Sequence, residues 1–251
     1  MTDLDTTPRT AARTWRPPTA IAPRGTLVVL PGRGEHGLVY ERFGRRLAAD
    51  GYVVHALDTT SDAALEDVLT AGAAAVGPDA DTPLVLVGSD TGALQALHIA
   101  TIADPRLPVR GIILTGTVTT ATATPATGWE AELDARTACP AHRRKITDDA
   151  DFARGRLSEP VPHHLLHDVR PDLPVLILHG ADDPLAPLDQ ARALARRLPH
   201  ATFGVLDEGR HDVLNDASHR TTAAHVVIWL ERLRADTALR PILTVEAEPE
   251  D

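Results

Sequence analysis

From Thr26 to Leu233 the chain alternates short aliphatic runs with stretches whose apolar residues recur at helical spacing. Few folds accept that alternation. Buried runs read as strands at Thr26 to Leu30, Tyr52 to Leu57, Leu84 to Val87, Val109 to Leu114, Val175 to Leu178 and Phe203 to Leu206. Between them, helical periodicity marks Tyr40 to Ala48, Ser61 to Val76 behind a Ser61 cap, Gly92 to Ala103, Leu188 to Leu198 and Ala223 to Leu233. Parallel neighbours need helical crossovers, so the pattern predicts an α/β fold: a mostly parallel sheet with helices on both faces. One stretch breaks the rhythm. Thr117 to Asp172 is rich in Thr, Ala, Pro, His and charge, and reads as a lid leaving the sheet after one strand and returning at the next. The expected organisation is a flexible segment over 1–24, one domain over 25–242 with its lid insertion at about 117–172, and an acidic tail over 243–251.

Charge and composition exclude whole classes of partner. With Lys+Arg 25 against Asp+Glu 35, the formal net charge of -10 repels a phosphate backbone, so neither nucleic acid nor an anionic membrane surface is expected. No apolar run approaches the ~20 residues that cross a bilayer, and Met1 to Arg24 lacks the apolar centre of a secretion signal, so a soluble, cytoplasmic protein is expected. The single cysteine, Cys139, allows no internal disulfide. His163, His164 and His167 cluster without the carboxylates or cysteines of a metal-ligand pattern, and no metal or cofactor is expected.

Three loops carry the chemistry. Leu84 to Val87 runs through Gly88-Ser89-Asp90-Thr91-Gly92 into a helix. A strained strand-to-helix turn needs small residues two before and two after its tip; the glycines bracket Asp90, whereas a tip at Ser89 would put Val87 and Thr91 there. Past a later strand lies Gly180-Ala181-Asp182-Asp183, and past the last strand Gly209-Arg210-His211-Asp212. Carboxylate, acid and histidine thus follow the order nucleophile, acid, histidine, each in a loop beyond a strand, where open α/β sheets bind ligands.

With Pro31-Gly32-Arg33-Gly34-Glu35-His36 added to these stretches, the chain resembles an α/β-hydrolase of the monoacylglycerol lipase and lysophospholipase type, the serine aminopeptidase-like family. The resemblance spans nearly everything after Arg24 and implies Asp183, three residues after the glycine, as the acid and His211 as the histidine. Two positions depart from the family: its elbow serine is Asp90 here, and its His-Gly dipeptide is Pro31-Gly32. An aspartate is ionised at pH 7 and needs no base before it attacks, so the expected chemistry is a covalent aspartyl intermediate on a small organic substrate. Asp90 would be the nucleophile, His211 the base that activates water, and Asp183 its orienting acid. The backbone N–H groups of Gly32 or Arg33 and of Thr91 would form the oxyanion hole, and Trp129 is a candidate lid contact. Two alternatives stand beside this expectation: a non-hydrolytic or binding protein on the same fold, and a lipase-like or esterase-like enzyme whose serine has been replaced by Asp90.

Overall fold

A computed structural model describes residues 12–78, 80–121 and 128–244. Seven strands form one sheet: β1 (Ala12–Trp15), β2 (Thr26–Leu30), β3 (Val53–Leu57), β4 (Leu84–Ser89), β5 (Gly111–Thr115), β6 (Val175–Gly180) and β7 (Ala201–Leu206). Their spatial order is β1-β3-β2-β4-β5-β6-β7; β1 runs antiparallel to β3, and every other pair is parallel. Strands β2 to β6 are buried at every position, which is why they read as continuous apolar runs rather than alternating ones.

Successive residues nonetheless serve opposite faces. Leu27, Val29, Val85 and Val87 join Phe43 and Leu47 of α1 (Glu41–Ala49) and Trp229 of α7 (His219–Ala235) in one core. Val28, Leu30, Leu84 and Leu86 join α2 (Leu65–Val76), α3 (Thr91–Ile102) and α6 (Leu188–Arg197) in the other. The segment between β5 and β6, the expected lid, contributes α4 (Trp129–Arg136) and α5 (Pro140–Asp148).

Two expectations change. The N-terminal segment, expected to be flexible, supplies the edge strand β1: Trp15 packs against Gly44 of α1, where a Cβ would collide with the indole, and Thr14 Oγ1 lies 2.9 Å from His55 Nδ1. Four residues, half of them polar, carry too little periodicity to announce a strand. Ser61 does not cap α2, which begins at Leu65 with Ala64 in the capping position. The acidic residues Glu246, Glu248, Glu250 and Asp251 lie outside the described residues.

Candidate active site

Asp90 sits between the end of β4 and the start of α3 with φ 53 and ψ -118, left-handed backbone that a non-glycine residue adopts only when its surroundings force it. They do so here. A Cβ at Gly88 would strike the Gly92 carbonyl, and one at Gly92 would strike the Leu30 carbonyl, so strand and helix cross too closely for any side chain. The strained residue is therefore Asp90. Ser89 remains the last residue of β4, buried, with an Oγ that has no hydrogen-bond partner.

The sheet brings the other two loops to the same edge. His211 Nδ1 lies 2.9 Å from Asp183 Oδ2, and its Nε2 lies 3.4 Å from Asp90 Oδ1. Asp183 is held by two backbone donors, Leu185 N at 2.9 Å and Ala186 N at 3.1 Å, both to Oδ1, leaving Oδ2 for the imidazole. Gly180 lets the acid and histidine loops meet, since a Cβ there would overlap the Gly209 carbonyl. Asp182, the alternative acid, is exposed.

The side chain that closes the constellation is Arg33. Its guanidinium grips both oxygens of Asp90, with Nε donating to Oδ2 and Nη2 to Oδ1, each at 2.8 Å, while its backbone N–H donates to Oδ2 at 2.9 Å. Its remaining terminal nitrogen, Nη1, donates to two lid carbonyls, Leu157 at 3.1 Å and Glu159 at 2.5 Å. Such a fork is the strong, bidentate form of an ion pair. Arg33 is 2 % exposed and Asp90 and His211 1 % each, so the whole constellation is buried.

These contacts set the charges. Burial alone would raise the Asp90 carboxyl, but the Arg33 charge, helped by His211, holds it far below the usual carboxylate range. Burial alone would discharge His211; the Asp183 carboxylate and then Asp90 reverse that and push it up to about 10. Asp183 is lowered by His211 against its own desolvation. At neutral pH the site therefore holds two carboxylates, one guanidinium and one imidazolium, a balanced quartet.

A pH dependence follows. The raised His211 stabilises the folded state fully below its ordinary value of 6.5, and that stabilisation disappears as pH rises through about 10. Thermal melts between pH 6 and pH 10 are expected to show the loss in the wild-type protein and a shallower one in His211→Gln.

Of Gly32 and Arg33, the two alternatives for one expected oxyanion donor, Arg33 N reaches Asp90, whereas Gly32 N donates to Glu35 Oε2 at 2.9 Å. Glu35 is itself fixed by Arg136 Nη1 at 3.1 Å and by the Tyr40 hydroxyl, and Arg136 Nη2 donates to the Arg33 carbonyl at 2.6 Å. The lid helix α4 thus clamps the 32–35 loop from behind. Thr91 is the buried first residue of α3. Trp129 stays within the lid: its Nε1 donates to Thr147 Oγ1 at 3.2 Å, and its ring packs against Phe152 and under Arg154. Among the described residues, no group of three or more His, Cys, Asp or Glu side chains could hold a metal. No helix of the described residues is long and apolar enough to cross a membrane.

The sequence singles out Arg33 only for its backbone and gives no sign of Arg136. The available signal is Asp90 itself, since a buried aspartate requires a cation and the loop after the neighbouring strand β2 carries one.

Comparison with known proteins agrees with this architecture. The chain superposes on a soluble variant of monoglyceride lipase from Saccharomyces cerevisiae, solved with a substrate analog, with a TM-score of 0.69 and 16% identity, covering 88% of this chain and 91% of that one. A monoacylglycerol lipase from Paleococcus ferrophilus superposes with a TM-score of 0.67 and 17% identity, over 88% and 98% of the two chains. At these identities the likeness is one of fold. A poly(3-hydroxyalkanoate) depolymerase from Ectopseudomonas oleovorans is 36% identical over 78 residues, a match spanning 31% of this chain and 27% of that protein. The family model described as serine aminopeptidase, S33 (Hydrolase_4) matches residues 21–153, a span that includes the 31–36 loop, the elbow and the greater part of the segment between β5 and β6; the chain belongs to that family of α/β-hydrolases.

Proposed function

We propose that this protein hydrolyses a small organic substrate through a covalent ester on Asp90. The observation that carries the reading is the placement of a carboxylate, rather than a hydroxyl, on the strained elbow, with His211 Nε2 3.4 Å from its Oδ1 and Asp183 behind the ring. Oδ1 would attack an electrophilic carbon of the substrate, and the bond from that carbon to its leaving group would break. His211 starts as an acid, because its imidazolium is held between two carboxylates, and can protonate a leaving oxygen. Esterification then removes the Asp90 charge, one of the two that keep the imidazole protonated. The ring, neutral once its proton has gone to the leaving oxygen or, with a halide leaving group, to solvent, becomes the base that takes a proton from water as that water attacks the Asp90 Cγ. Collapse releases the product alcohol with the former Oδ1, and the water oxygen stays in Asp90. Reaching Asp90 requires the lid segment around Leu157 to Glu159 to move, since these residues bond the group that covers the carboxylate.

Water labelling tests the route. After many turnovers in H2(18)O, the peptide containing Asp90 is expected to carry heavy oxygen, read by mass spectrometry, and the first product formed is expected to carry none. Label in the first product with none in Asp90 would overturn the reading.

A second reading has its own observation. Both Asp90 oxygens are occupied by Arg33, whose fork also holds two lid carbonyls. On that reading the pair is a staple between elbow and lid in a non-hydrolytic member of the family, and neither label nor adduct forms with any substrate.

A further inference from the structure

We propose that the Arg33 guanidinium is a catalytic group: it binds the oxyanion that forms on Asp90 Oδ2 when water attacks the Asp90 ester. The inference rests on the aspartyl route above and adds a charged side chain to what the family builds from backbone N–H groups.

The two oxygens of Asp90 have different surroundings. Oδ1 faces His211 Nε2 and receives one bond, from Arg33 Nη2. Oδ2 lies between two donors of the same residue, Arg33 N at 2.9 Å and Nε at 2.8 Å. The oxygen beside the acid–base group is the one suited to attack and departure, and the doubly donated oxygen is the one suited to carry charge. When water adds to the ester carbon, its proton goes to His211 Nε2 and the Cγ=Oδ2 electron pair moves onto Oδ2. When the intermediate collapses, that pair re-forms the double bond and the Oδ1 to Cγ bond breaks, with the proton passing from His211 to Oδ1. Oδ2 is therefore the atom on which negative charge appears, and two donors already stand at hydrogen-bond distance from it. Preorganised donors aimed at developing charge in a water-excluded site supply large rate effects.

The guanidinium is also held in place for this task. Nη1 is anchored by the Leu157 and Glu159 carbonyls, so the fork keeps its orientation when Asp90 becomes a neutral ester and loosens its own hold. Arg136 fixes the Arg33 carbonyl from the lid helix, which holds the backbone donor as well. The cation remains buried and without its former partner during the ester's lifetime, and the oxyanion restores that partner at the transition state. Stabilisation that is stronger in the transition state than in the ground state accelerates the chemical step.

The same pairing has the opposite effect on the first step, because a carboxylate held by a fork is a weaker nucleophile. Removing Arg33 should therefore split the two steps. Wild-type, Arg33→Gln and Arg33→Lys proteins are mixed with 1-bromobutane, quenched over time, and followed by intact mass for the Asp90 ester and by chromatography for butanol. In Arg33→Gln the ester is expected to form no more slowly than in the wild type and to be hydrolysed ~10²–10³-fold more slowly, so that it accumulates although His211 is intact. Arg33→Lys, which keeps a charge but loses the fork, is expected to fall between the two, and supplies the same readout if Arg33→Gln does not fold. Equal hydrolysis rates in folded variants would overturn the inference, as would a parallel slowing of both steps, which is the mark of a purely structural Arg33. A His211→Gln protein run alongside separates the two proposals: if its ester accumulates while Arg33 variants hydrolyse normally, only the Arg33 role fails; if it forms no ester, the aspartyl route fails and takes the Arg33 role with it.

Discussion

In His211→Gln, 1-bromobutane is expected to leave an ester on Asp90 that persists, while the wild-type protein releases butanol and returns to its free mass. Bromide departs without needing a proton, so loss of the imidazole leaves the attack intact. The hydrolysis of the ester is what suffers. Glutamine cannot take a proton from water, and the expected slowing is ~10²–10⁴-fold, the usual contribution of a positioned general base. Asp183 is expected to matter less directly: it keeps Nδ1 occupied and Nε2 turned toward Asp90, and its loss changes the orientation and charge of the ring rather than removing it. The alternatives give different outcomes in the same experiment. A non-hydrolytic protein forms no ester in either form. A lipase-like ancestor with its serine replaced forms none on Asp90 and gains activity on p-nitrophenyl butyrate in Asp90→Ser.

The fold was legible because burial on both faces forces long aliphatic runs, and those runs stood out at Thr26 to Leu30, Leu84 to Val87 and Val175 to Leu178. The last two run two residues further, to Ser89 and Gly180, because the final residues of these strands serve the site rather than the core and carry polar or small side chains. The edge strand β1 was not legible: with one neighbour only, its residues need no apolar periodicity. In the candidate site, Asp90 is legible from the glycines that bracket it, whereas Asp183 and His211 are singled out by the resemblance to the family. The Arg33 fork could not be read that way. It depends on the direction of a long side chain across 57 positions of sequence, and the Arg136 clamp spans 101. Periodicity says nothing about such contacts; charge does, because a carboxylate buried on a turn has to find a cation. The lid was read as an excursion from its composition, yet its role as the wall that anchors Arg33 comes from backbone carbonyls, which no side-chain pattern records.

Asp90→Ala is expected to destabilise the protein by ~3–5 kcal/mol, the usual cost of leaving one member of a buried pair without its partner. Arg33 would stay 2 % exposed with its fork pointing at a methyl group, its charge opposed by lid carbonyl dipoles and the weaker fields of the Glu159 and Glu132 carboxylates. Relief by turning outward is obstructed, since the same carbonyls and the Arg136 contact hold both ends of the residue. His211 loses one of its two carboxylates at the same time, so part of the pH-dependent stabilisation goes with Asp90. Replacing both charges, as Asp90→Ala with Arg33→Met, is expected to be less costly than the sum of the single changes, because the second substitution removes the charge that the first left stranded. A coupling of ~0.5–3 kcal/mol is expected for residues in direct contact, measured by urea unfolding of the wild type, the two single variants and the double. Additive single costs would mean that the fork contributes nothing beyond its separate packing. A stable double variant would have a further consequence for function: with Asp90 absent it retains the closed lid only if Leu157 to Glu159 pack on the 32–35 loop without the guanidinium. Amide exchange in that segment reads this directly. Faster exchange at Leu157 to Glu159 in the double variant than in the wild type is the expected result, because Arg33 is the group that bonds those carbonyls to the elbow.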